Sequence, residues 1–112
     1  MRNIDKLKSF LKETADKIRA TRSQLKEAQR NRDVGAWRFQ GRLASLKYEY
    51  RHHHIAYCEL RGRTRDQIEP HIRDNNEPNE RYIREIKDKY AWSEEEIAAY
   101  NERQERRKEN AA

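Results

Sequence analysis

Two runs of apolar and small residues, each spaced in alternating steps of three and four, constrain this chain more than any other feature. The first falls at Ile4, Leu7, Leu11, Thr14, Ile18, Thr21, Leu25 and Ala28; the second at Ala36, Phe39, Leu43, Leu46, Tyr50, His53, Tyr57 and Leu60. Such spacing keeps one stripe of an α-helix turned toward a partner. Between the runs, Arg30-Asn31-Arg32-Asp33-Val34-Gly35 breaks the pattern, with Gly35 the expected turn residue. Two seams of equal length joined so briefly predict a long antiparallel two-helix coiled-coil hairpin over residues 3–61.

The regular spacing matters because composition alone points the other way. Only 34% of the 112 residues are hydrophobic and 41% are charged, a balance typical of chains too polar to fold. Three glycines and two prolines leave few places to break a helix, and no strand-like alternation runs for any length. The expectation is one all-α domain over residues 1–112. Cys58, the single cysteine, precludes an intramolecular disulfide framework and fits a reducing compartment. No apolar run approaches the roughly 20 residues that span a bilayer, and the amphipathic start has no signal-like apolar core. A cytoplasmic protein without membrane attachment is expected.

After residue 60 the pattern shortens. Gly62 suits the end of the second helix, and Thr64-Arg65-Asp66-Gln67 has the spacing of a capping box, predicting a short helix toward Ile72. Pro70 falls within its first turns, and Pro78 fits the start of a further helix carrying Tyr82, Ile83, Ile86 and Tyr90 on one face. Ser93-Glu94-Glu95-Glu96 is a second capping pattern, opening a helix with Ile97, Ala98 and Tyr100 in a charged segment over 93–112 whose end is expected to fray. The segment 64–92 therefore reads as two or three short C-terminal helices packed on the second long helix. A stripe of Trp37, Gly41, Ala44 and Tyr48 on that helix looks like a groove for one of them, since a helix-interior glycine costs about 1 kcal/mol relative to alanine.

Charge is unevenly placed. The net charge is +6, and residues 1–31 alone hold nine basic side chains against four acidic ones, so a polyanion would be met by the N-terminal half. Lys8, Lys12, Arg19, Arg22 and Lys26 line one face of the first helix, interrupted only by Ala15. That strip is about 27 Å long at 1.5 Å per residue and would track several phosphates. Arg38 and Arg42 extend it, and Arg61, Arg63 and Arg65 form a second patch. The spacing of Gly62, Ile68, Ile83 and Ile86 resembles a helix-turn-helix, which would put Arg81, Arg84, Lys87 and Lys89 on or beside the reading helix. Its loop is long, however, and Glu80, Glu85 and Asp88 would oppose phosphate, so a helical pair capping the hairpin is the better reading.

Of the histidine run His52-His53-His54, His53 sits in the seam and is expected to hydrogen-bond across the hairpin. His54 and Cys58 are four apart and could share a metal, but His71 is the one obvious further ligand where a tight zinc site wants four, so no metal and no cofactor is expected. No phosphate-cradling glycine loop or activated nucleophile is present, and a thin hairpin offers no water-excluding pocket; an enzyme is not expected. Trp37, Tyr48 and Trp92 are candidate protein-interface aromatics.

The leading expectation is a small non-catalytic protein contacting DNA or RNA phosphates. Two others compete. One is a protein-binding inhibitor of the kind phages and mobile elements make, anti-CRISPR-like in class, blocking a host nucleic-acid-processing complex. The other is a structural subunit of a ribonucleoprotein. A homodimer is compatible with each.

Overall fold

The computed structural model describes residues 2–65, 68–69, 72–91 and 93–111. Four α-helices account for most of them: α1 Asn3–Arg30, α2 Trp37–Leu60, α3 Glu80–Tyr90 and α4 Glu94–Ala111. No strand occurs among the described residues. No helix among them is long and apolar enough to cross a membrane.

α1 and α2 pack together as a hairpin. The first seam is buried at Ile4, Leu7, Leu11, Thr14, Ile18, Thr21 and Ala28. Ile4 and Leu7 meet Ile55, Ala56, Tyr57 and Leu60, whereas Ala15 and Ile18 meet Leu43, Leu46 and Tyr50. The start of α1 therefore lies against the end of α2, and the helices run antiparallel. Leu7 and Ile18 are fully buried, and each stabilises the fold by about 1.5–3 kcal/mol.

Both long helices end in the same backbone device. At the end of α2, the Gly62 N–H donates to Glu59 O (3.0 Å) and the Arg63 N–H to Cys58 O (2.9 Å), with Gly62 at φ +69°. At the end of α1, the Arg32 N–H donates to Gln29 O (3.1 Å) and the Asp33 N–H to Ala28 O (2.8 Å). These paired bonds satisfy the last helical carbonyls and need one left-handed residue. In the hairpin turn that residue is Arg32, at φ +54°, and not the expected Gly35. Gly35 instead closes a side-chain turn, its N–H donating to Asp33 Oδ1 at 2.8 Å.

The C-terminal half of α2 is apolar on more than its α1-facing side because three neighbours enclose it. α1 covers the seam. α3 covers a second face through Ile83, Ile86, Tyr82 and Tyr90, packed around Ile55 and Ala56. On the third side, the Arg51 guanidinium donates to the carbonyls of Asp74 (2.6 Å) and Asn76, and Ile68 and Ile72 pack against Tyr50, Leu46 and Leu43.

α3 is docked by its N-terminus. Asn79 caps it, Oδ1 accepting from the Tyr82 N–H at 3.1 Å, while the Asn79 N–H donates to His52 Nε2 at 2.8 Å. His52 Nδ1 lies 2.7 Å from Tyr48 O. Because Nε2 accepts, Nδ1 carries the ring proton and donates it to that carbonyl.

Several expectations from the pattern need correction. None of the described residues of the helix expected at Thr64–Ile72 is helical: Thr64, Arg65, Ile68 and Glu69 have no regular structure and Ile72 lies in a turn. Asp66, Gln67, Pro70 and His71 lie outside the described residues. Arg65 is drawn instead into ion pairs with Glu59 and Glu80, both at 2.9 Å, and Ile68 and Ile72 reach the core from irregular chain. Among the described residues no first helix of a helix-turn-helix is present. The groove at Gly41 and Ala44 holds no helix, because α3 sits farther along α2, and nothing lies within 4 Å of the place a Gly41 Cβ would take.

The tail does not fray: α4 is helical to Ala111. Nor does α4 pack on α2. Its first turn meets the start of α1, where the Asn3 N–H donates to Glu96 Oε1 (3.2 Å) and Asn3 Nδ2 to Ala91 O (3.0 Å). The expected Ser93 cap is formed, with Oγ accepting from the Glu96 N–H at 3.2 Å.

Candidate functional site

Antiparallel pairing of the seams brings together side chains that lie far apart in sequence. Lys8 follows Leu7 at the start of α1, and Arg61 follows Leu60 at the end of α2. At the open end of the hairpin they border one open cleft of about 530 Å³, lined by Arg2, Ile4, Asp5, Lys8, Tyr57, Leu60, Arg61, Arg63 and Tyr100. Ile4 and Leu60 give it an apolar floor, Tyr57 and Tyr100 supply rings, and four cations surround them. Its one carboxylate, Asp5, is engaged by Arg2 Nε at 3.0 Å. The Arg61 guanidinium sits over the Tyr57 ring at 5.4 Å from the centroid and donates to the Tyr57 hydroxyl at 3.0 Å. This stacking holds it in one orientation.

The cleft joins part of the α1 stripe to part of the second patch, Lys8 to Arg61 and Arg63. Arg65 does not join it. Its guanidinium bridges Glu59 and Glu80, and Glu59 also accepts from Lys87 Nζ at 2.7 Å. The Lys87 bond, then Arg65, holds the Glu59 carboxyl below its usual range. This network clamps the chain after α2 to α3 and is structural.

The rest of the α1 stripe is divided at its middle. Ala15 is buried with Ile72, and Arg19 is turned toward Asp16 (3.4 Å) and Glu69 (3.8 Å). Lys12 is exposed on the cleft side of this divide, with half-buried Arg22 and exposed Lys26 on the other. Arg38 folds back so that Nε donates to Gly35 O at 3.2 Å, and Arg42 is exposed. Sequence spacing had no way to show that Glu69 and Ile72 meet the stripe at Arg19 and Ala15.

The aromatics separate as well. Trp37 is 69% exposed beside Val34 at 95%. Tyr48 is internal in role: its ring packs on His52 (4.2 Å) and Tyr82 (5.6 Å), and its hydroxyl accepts from Asn79 Nδ2 at 3.1 Å. Trp92 lies outside the described residues.

His53 makes no hydrogen bond across the hairpin. Its Nδ1 is 2.6 Å from Glu49 O on its own helix, and its crossing contact is a stack on Phe10 at 4.1 Å. Burial there lowers the pKa of the imidazole, partly offset by the bond to Glu49. His54 Nε2 lies 3.6 Å from Cys58 Sγ; among the described residues no three metal-ligating side chains gather.

Arg2 is a cleft residue that sequence reasoning missed, and Tyr57 and Tyr100 stand out in the sequence only as two of many aromatics. Tyr57 was legible as a seam residue beside Arg61, whereas Tyr100 depends on where α4 starts. Comparison with protein-family models, with curated proteins and with solved structures found no match to this chain.

Proposed function

We propose that this chain is a non-catalytic nucleic-acid-binding protein whose primary contact is the cleft at the open end of the hairpin. One observation carries this reading: four cations from both ends of the hairpin surround two tyrosine rings over an apolar floor. Lys8, Arg63 and Arg2 would meet phosphate oxygens, Arg61 would present a planar fork, and Tyr57 and Tyr100 would receive a base or sugar face. α4 prolongs this surface. Arg103 and Arg107 follow Tyr100 at helical spacing on the same face of the helix, so a backbone leaving the cleft meets further guanidiniums.

The paired seams are read as a coiled coil, which would hold the two ends of the hairpin at a fixed separation. An inhibitor that binds a nucleic-acid-processing complex remains the competing reading, favoured by the exposed Trp37 at the far end.

The test is fluorescence anisotropy against labelled duplex DNA, single-stranded DNA and structured RNA at 50 and 200 mM salt. Expected is binding that weakens steeply with salt and is lost in the Lys8→Ala/Arg61→Ala/Arg63→Ala variant. No binding of any polymer at 50 mM salt overturns the reading.

A further inference from the structure

The other end of the hairpin carries a second surface. Trp37, Gly41 and Ala44 follow one another at helical spacing on α2 and are all exposed. A Cβ at Gly41 would meet nothing within 4 Å, so a ligand can lie directly on the helix backbone beside the Trp37 ring. α3 occupies the continuation of this face, where Tyr48 and His52 meet Asn79. The open stretch from Trp37 to Ala44 is about 10 Å long at 1.5 Å per residue.

Its charge is net positive. Arg38 and Arg42 flank it on α2, Arg30 ends α1 and Arg32 stands in the adjoining turn, all exposed. Asp33, the acidic residue of that turn, is exposed as well, and its Oδ1 accepts from the Gly35 N–H. Arg32 also occupies a left-handed position, φ +54°, that glycine would take at less cost.

We infer that this tip binds a short segment of single-stranded nucleic acid, with a base stacked on Trp37 and phosphates against Arg32, Arg38 and Arg42. The inference rests on the nucleic-acid reading above and adds a second contact for the same class of polymer. Charge complementarity selects the occupant: an apolar partner would leave four guanidiniums opposite nothing, and one Trp and one Val are too little apolar surface to anchor in a bilayer. A duplex keeps its base faces stacked inside, whereas a single strand offers them to the indole.

Trp37 reports its own occupancy. In the Trp92→Phe variant it is the sole tryptophan, and titration with a 30-residue oligo(dT) is expected to quench its emission saturably, with weaker quenching at 200 than at 50 mM salt. Trp37→Ala, substituted where exposure makes folding insensitive, is expected to lower affinity about fivefold or more, the effect of losing one base stack. Circular dichroism confirms that both variants are folded.

Salt-sensitive binding by anisotropy with no change in Trp37 emission overturns the tip contact and leaves the cleft reading standing. No binding by anisotropy overturns both. Quenching by anionic vesicles but not by oligo(dT) overturns the choice of occupant.

Discussion

His52 carries more of the tertiary structure than its single side chain suggests, and His52→Leu tests this. The substitution nearly conserves volume but removes the acceptor for the Asn79 N–H, the bond that seats the start of α3. Leaving that N–H without a partner costs about 1–3 kcal/mol. Losing the ring contacts to Tyr48 at 4.2 Å and Tyr82 at 5.3 Å adds roughly 0.5–1.5 kcal/mol. The Tyr48 carbonyl loses the side-chain donor as well, although it remains available to the helix ladder. The expected loss is about 2–4 kcal/mol in all. With a urea dependence of about 1.5 kcal/mol per molar for a chain this size, a mid-range loss of 3 kcal/mol moves the unfolding midpoint down by about 2 M. Hydrogen exchange separates local from global effects: amides of α3, Ile83 to Tyr90, should lose protection before those in the middle of α1. A midpoint shift below about 0.3 M, or equal loss of protection in α1 and α3, would refute the assignment of His52 as the docking point.

Acidification provides an independent test through His53. Burial against Phe10, Tyr82 and Tyr90 lowers its pKa below the ordinary 6.5, so the fold favours the neutral ring. Its contribution is complete above about pH 6.5 and declines as the pH falls, because the unfolded chain then binds more protons. The urea midpoint should fall between pH 7 and 5.5, and His53→Phe should flatten that slope. Leu7→Ala is expected to cost about 2–5 kcal/mol by thermal or urea unfolding. Gly41→Ala fills open space in an exposed helix and should raise stability by up to about 1 kcal/mol, whereas Gly62→Ala, at φ +69°, should lower it by about 1 kcal/mol. Both shifts are readable as melting-temperature changes of opposite sign.

The hairpin was legible because its information is local. A three-four rhythm in Ile4 to Ala28 and Ala36 to Leu60 can be read without knowing what else the chain does, and the short connection leaves one way to pair the halves. What failed to show were the choices made by distant partners. Thr64 and Gln67 have helix-start spacing, but Arg65 gains two carboxylates by leaving the helical path. Propensity favours Gly35 as the turn residue, while the end of α1 sets the left-handed position at Arg32. Lys8 to Lys26 reads as one strip until Ile72 is seen covering Ala15. Of the cleft, Lys8, Arg61 and Arg63 were visible as charges, but their convergence required the antiparallel register and the position of α4.

The molecule is 66 Å long and 28 × 23 Å across, with a radius of gyration of 18.4 Å. A compact chain of this length would have a radius of gyration near 13 Å by the usual scaling. α1 accounts for about 42 Å of that length, and α4 carries the long axis past the hairpin. Drag rises with elongation, so a monomer of 13.7 kDa will elute from a sizing column ahead of a globular protein of its own mass. Elution alone would thus overstate the mass of a lone chain and blur the line between monomer and homodimer. Light scattering, which weighs the particle regardless of its outline, is the measurement that distinguishes the two.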